Sequence, residues 1–190
     1  MQQTKEELRH LILQRRSKLP RTDHSAKSKQ IIKRLFLLDE FQKATTILFY
    51  VSYGSEVDTH QLIQQSLSLG KTVIVPKSDT AQTSLLLSQL KTWEDLEKGA
   101  YSILEPKQSA FIPIQPDVLE LILVPGIVFD MHGYRIGHGK GYYDKLLSKT
   151  NITCIGLAFE IQIVDKIPIE EHDEKIDIII TEERMINCNK

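Results

Sequence analysis

The chain has 190 residues, 41% hydrophobic and 26% charged, with 24 Lys and Arg against 25 Asp and Glu. That length fits one domain, residues 1–190, with a sizeable core and no need of staples. Cys154 and Cys188 form no disulfide framework or metal spacing, and the polar first ten residues and lack of long apolar runs exclude a membrane span, so cytoplasm is the expected location.

Apolar residues at helical spacing predict helices over residues 4–19 (Leu8, Leu11, Ile12) and 23–38 (Ile31, Ile32, Leu35). Residues 1–43 hold eleven Lys or Arg against five Asp or Glu. At that spacing the charges read as solvated faces rather than a nucleic-acid surface, and no aromatic residues interleave them for base stacking. A strand is predicted at Thr45–Ser52, a turn at Tyr53-Gly54-Ser55, a helix near 58–69 stopped by Gly70, and a strand at Thr72–Val75 ended by Pro76. Residues 77–117 are less regular, with short strands at Leu85–Leu87 and Ile103. A strand over 118–124, interrupted only by Glu120, leads into a loop, a helix at 142–149, a strand at 152–158 that buries Cys154, and a last strand near Ile176–Thr181. The alternation implies an α/β fold: a single-domain, three-layer α/β/α arrangement on a mostly parallel, doubly wound (Rossmann-like) sheet. Ligands of such sheets sit beyond the carboxyl ends of strands, here residues 53–58 and 125–141.

The second of these segments holds four glycines between Gly133 and Gly141, with Arg135 and Lys140 among them, then Tyr142, Tyr143 and Asp144. Strand, glycine-rich cationic loop and helix together present backbone N–H groups to an anion. The spacing fits neither the Walker A pattern nor GxGxxG. The plainer alternative is a glycine-rich turn carrying two solvated cations. His132 and His138 lack a third ligand for zinc, and there is no nucleophile elbow for Ser/His/Asp catalysis.

The run Pro125 to Asp144 resembles the signature of the 5-formyltetrahydrofolate cyclo-ligase family, roughly PG-x-x-FD-x-x-G-x-R-[LI]-G-x-G-x-GYYD, at every fixed position. The likeness extends to Lys5-Glu6-Glu7-Leu8-Arg9, Glu56-Val57-Asp58-Thr59, Gly70-Lys71, Ile103-Leu104-Glu105-Pro106 and His172-Asp173. It implies an enzyme that uses ATP and Mg²⁺ to cyclise 5-formyltetrahydrofolate to 5,10-methenyltetrahydrofolate, with no nucleic-acid or membrane partner and a monomer as the favoured state.

The resemblance also implies roles. Arg135 and Lys140 would be catalytic, offsetting charge on the transferred phosphoryl group. The ATP set would be Lys5, Arg9, Arg135, Gly137, His138, Gly139, Lys140, Gly141, Tyr142 and Tyr143. The folate set would be Val51, Glu56, Tyr101, His138, Gly139, Lys140, Gly141 and Tyr142, with Tyr53 beside Glu56. Asp144 would hold Mg²⁺ together with Asp173, or with Asp177 from the same acidic run. His138 stands where the family varies. A sensor that binds nucleotide or folate without turnover, a ligase for another formyl compound, and an RNA-binding relative using the basic helices are the alternatives.

Overall fold

The computed structural model describes residues 3–99 and 102–188. Helix α1 (Lys5–Ser17) opens on a capping box, in which the Glu7 N–H donates to Thr4 Oγ1 at 3.2 Å and the Thr4 N–H donates to Glu7 Oε2 at 2.8 Å. Then follow α2 (Arg21–Phe36), α3 (Asp39–Lys43), β1 (Thr46–Leu48), α4 (His60–Ser68), β2 (Thr72–Asp79), β3 (Ser84–Leu90), β4 (Leu96–Lys98), β5 (Leu104–Pro106) and β6 (Pro113–Ile114). The remainder is β7 (Leu121–Val124), β8 (Val128–Asp130), β9 (Arg135–Ile136), α5 (Tyr142–Leu147), β10 (Thr153–Leu157), β11 (Ile163–Val164), β12 (Ile178–Ile180) and β13 (Met185–Asn187).

Eight strands form the main sheet in the order β13-β12-β10-β7-β1-β2-β3-β6. The five from β12 to β2 are parallel, with Ile47 opposite both Val73 and Leu121. Strands β13, β3 and β6 add antiparallel margins. Side chains alternate across a strand, so both faces of a covered sheet must be apolar. Ile47, Phe49, Val73, Val75, Leu121, Leu123 and Ile155 face one core with Ile31 and Leu35 of α2, Phe41 of α3 and Leu62 and Ile63 of α4. Leu48, Ile74, Ile122, Val124 and Cys154 face the other, with Phe129 of β8 and Leu146 and Leu147 of α5. This is the mostly parallel, covered sheet that the alternation predicts.

From β1 the chain moves to β2 on one side and later returns to β7 on the other. The carboxyl ends of β1 and β7 therefore flank a topological switch point, the crevice where such sheets bind ligands.

Several elements differ from expectation. The first strand is only Thr46–Leu48, because residues beyond it leave the ladder to line the crevice. Strand β2 does not stop at Pro76; it runs to Asp79 and pairs with β3 from Val73↔Leu90 to Asp79↔Ser84. By alternation Pro76 turns its missing N–H toward the side where β1 has already ended, so no ladder bond is lost. The strand expected at Leu85–Leu87 lies within β3 and the one expected at Ile103 begins one residue later as β5, while its partner β4 and the margin strand β13 were not predicted. The predicted loop 125–141 contains β8 and β9, which join β11 in a separate three-stranded sheet. Leu8 and Ile12 of α1 pack on that small sheet through Ile127, Val128 and Ile136.

The basic faces of the first two helices are not wholly solvated. Arg16 is buried, Lys27 pairs with Glu182, and Arg34 donates to the carbonyls of Glu182 and Glu183. Among the described residues, no helix is long and apolar enough to cross a membrane.

Candidate active site

The chain leaving β1 forms one lip of the crevice. The Ser52 N–H donates to Thr59 Oγ1 and the Thr59 N–H donates to Ser52 Oγ, each at 3.0 Å, which closes residues 52–59 into a tight loop. Inside it the Tyr53 N–H donates to Glu56 Oε2 at 3.1 Å, and the carboxylate is buried. A buried carboxylate needs compensating charge or donors. Arg16 supplies charge from behind: its Nε donates to Ser55 Oγ at 2.9 Å and its Nη1 to the Gly126 carbonyl at 3.3 Å. Burial pushes the Arg16 pKa down, and the Glu56 carboxylate opposes that shift. Burial, then the Glu56 charge, pushes the Tyr53 phenol upward, so it stays protonated.

The other lip is the glycine loop between β9 and α5. Gly139 and Gly141 take left-handed angles, φ +83° and +67°, which side chains rarely adopt. Among the described residues, the backbone N–H groups of residues 137–141 have no hydrogen-bond partner. The loop is held from α1, where Arg9 Nε donates to the Gly137 carbonyl at 2.9 Å. Lys140 is exposed and makes no ion pair among the described residues. Free donors and an uncommitted cation on one loop suit an anion of several charges. Gly126, in the Pro125-Gly126 pair, has a different reason to be glycine: a Cβ there would lie 2.4 Å from the Phe129 ring.

Two cations with expected roles at phosphate are paired with carboxylates. Arg135, predicted to meet phosphate, is buried and donates through Nη2 to Asp144 Oδ1 at 3.0 Å and through Nη1 to the Glu174 carbonyl at 2.9 Å. Lys5 Nζ lies 2.6 Å from Asp173 Oδ2 and 3.1 Å from Glu170 Oε2. Burial works against the charged Lys5, but hydrogen bonds to Asp173 and Glu170 outweigh it and raise its pKa. Each carboxylate assigned to a metal is thus balanced by a cation assigned to phosphate. The Glu174 N–H, 3.4 Å from Asp144 Oδ1, brings the chain beside Asp173 to the same rim. Asp177 stands apart from the cavity, accepting from the Cys154 N–H at 2.7 Å.

Both lips border a cavity of about 660 Å³, within the range of small-molecule sites. Lys5, Arg9, Val51, Glu56, Arg135, the residues 137–144 and Asp173 all line it, so the structure brings the predicted set together. Tyr101 lies outside the described residues. The Tyr143 hydroxyl is buried without a partner among the described residues, and burial pushes its pKa far up, leaving a neutral phenol at the wall. Asp144 and Asp173 offer the hard carboxylate oxygens that Mg²⁺ prefers, and donor atoms of Glu170, His172 and Asp173 lie within 4.8 Å of one another. The donor set fits that ion.

Arg16, Glu105 and Ser78, to which no motif assigns a role, also shape the site. Glu105 is buried at the cavity wall, and its Oε1 accepts from the Ser78 N–H at 3.0 Å, fastening the β4–β5 hairpin to β2. Its motif, Ile103-Leu104-Glu105-Pro106, was visible. For Arg16 the signal was its place at four-residue spacing after Leu8 and Ile12, all three buried.

A model of the 5-formyltetrahydrofolate cyclo-ligase family matches residues 1–182. The chain is 30% identical to a probable 5-formyltetrahydrofolate cyclo-ligase of Caenorhabditis elegans, over 96% of this chain and 94% of that one. It is 28% identical to the 5-formyltetrahydrofolate cyclo-ligase of Escherichia coli strain K12, over 90% and 96%. Among solved structures, the NMR structure of Aquifex aeolicus 5,10-methenyltetrahydrofolate synthetase is similar with a TM-score of 0.87 at 31% identity, covering 98% of this chain and 93% of that chain.

Proposed function

Because the chain belongs to the 5-formyltetrahydrofolate cyclo-ligase family, we propose that it cyclises 5-formyltetrahydrofolate to 5,10-methenyltetrahydrofolate, consuming ATP with Mg²⁺ and releasing ADP and phosphate. One cyclo-ligase domain spans residues 1–190 in this reading. The observation that carries it is one cavity whose opposite lips differ in chemistry: free N–H groups and Lys140 on one, a buried carboxylate on the other. A polyanion and a hydrogen-bonding heterocycle would each find their complement there. The two buried cysteines, Cys154 and Cys188, agree with a cytoplasmic setting.

ATP is needed because a formamide oxygen is a poor leaving group. The formyl oxygen takes the γ-phosphoryl group as ADP departs. N10 then attacks the formyl carbon, its proton is lost, and phosphate leaves with the oxygen. The second step is intramolecular, so the protein's contribution is placement and charge stabilisation. Lys140 and the N–H groups of residues 137–141 would hold the polyphosphate and stabilise charge as it moves. Glu56 would accept hydrogen bonds from the pterin, beside Val51. Arg135, being committed to Asp144, positions that carboxylate. Asp144 and Asp173 would hold Mg²⁺, which when bound would neutralise phosphate charge.

The test is near-ultraviolet absorbance after mixing purified protein with 5-formyltetrahydrofolate, ATP and Mg²⁺. The methenyl chromophore should grow only with all components present. Tight binding of both ligands without that growth would identify a sensor instead.

A further inference from the structure

Two aromatic side chains from opposite lips meet across the cavity mouth. The Tyr53 hydroxyl and His138 Nε2 share a hydrogen bond at 2.7 Å, and their ring centroids lie 5.5 Å apart. The same Nε2 is 3.9 Å from Glu56 Oε1, while the other Glu56 oxygen is held by the Tyr53 N–H. Glu56 is therefore bracketed on both oxygens by this pair. His138 is half exposed and sits between Gly137 and Gly139 on the loop with free N–H groups. Neither partner is a signature residue: Tyr53 and His138 lie outside the fixed positions of the motif.

We propose that Tyr53 and His138 form a positioning pair that couples the two sides of the cavity, so that occupancy of the glycine loop by nucleotide sets the Glu56 carboxylate for its ligand. The inference rests on the proposed function of the site. Filling the loop fixes His138, which fixes Tyr53 and through it Glu56. The element that changes state is the glycine loop, whose backbone is permissive at Gly139 and Gly141. Coupling between two binding equilibria is reciprocal, so the folate compound must tighten nucleotide binding by the same factor.

Isothermal titration with 5-formyltetrahydrofolate and the non-hydrolysable β,γ-imido analogue of ATP, in Mg²⁺, tests this on the full chain. Each ligand should raise affinity for the other, and Tyr53→Phe should lower that factor by about fivefold, the worth of one neutral hydrogen bond. His138→Ala should lower it equally, the double variant no further, and His138→Gln, which keeps a hydrogen-bonding tip, should restore most of it. Coupling undiminished in Tyr53→Phe, or absent from the unaltered protein, overturns the pair while leaving the functional reading intact. Failure of either ligand to bind the unaltered protein overturns that reading and the pair with it.

Discussion

Arg135 and Lys140 are both cations of the glycine segment, but their surroundings separate them. The Arg135 side chain is 4% exposed and bonded to Asp144 and the Glu174 carbonyl, whereas Lys140 is exposed and uncommitted among the described residues. Lys140→Ala should therefore change stability by less than about 0.5 kcal/mol, yet lower turnover by about 10²–10³-fold as a lost charge stabiliser. Arg135→Ala leaves Asp144 without its cation and should destabilise the fold by about 2–3 kcal/mol. Thermal unfolding alongside methenyl formation separates the two; an equal fall in melting temperature for both would contradict the assignment. Sequence placed both residues at the site. It did not show that Arg135 meets Asp144, because that contact depends on how the β8–β9 turn and α5 are set against each other.

At the level of elements, the short β1 is held at its start by a side chain from the neighbouring segment. Glu120 accepts from the N–H groups of Thr45 and Thr46 and from the Thr45 hydroxyl, and these bonds lower its pKa. A carboxylate depressed in the folded state adds stability above its unfolded pKa, about 4.3, and loses it as pH falls through the lower folded value. Glu120→Gln should thus have a lower urea midpoint than the unaltered protein at pH 7, with the gap closing toward pH 3. A gap independent of pH would mean that charge plays no part. In the sequence, Glu120 was only an interruption in an apolar run. The parallel strands were legible because each is a short β-branched or Leu-rich run followed by a turn. Residues 77–117 were legible only in part: the strand expected at Leu85–Leu87 lies within β3, whereas β4 and β6 are defined by pairing with distant partners and carry little pattern of their own. Pro76 misled for a physical reason: the rule against proline in a strand assumes a neighbour on both sides, and β1 ends before reaching it.

The whole molecule places both thiols in the core beneath α5. Cys154 lies in β10 between β7 and β12, and burial pushes the Cys188 thiol up to about 11. Alkylation by iodoacetamide at pH 8 should leave both unmodified in the native protein and give two adducts in denaturant, read by intact mass. Rapid native labelling of Cys154 would contradict the strand order. The doubly wound topology also explains why the site was legible at all. It brings the chain after β1 and the chain after β7 to one crevice, so two motifs some seventy residues apart in sequence face each other. What joins them at the mouth, the Tyr53–His138 contact, has no sequence signature, since it depends on the distance between lips rather than on spacing along the chain.

The proposed activation of the formyl oxygen by ATP leaves a mark on the phosphate released. It is tested most directly by supplying 5-formyltetrahydrofolate with ¹⁸O in the formyl group, together with ATP and Mg²⁺, and weighing the phosphate released. One ¹⁸O atom per phosphate formed is expected. Unlabelled phosphate accompanying methenyl product would mean that the oxygen leaves by another route, and would contradict it.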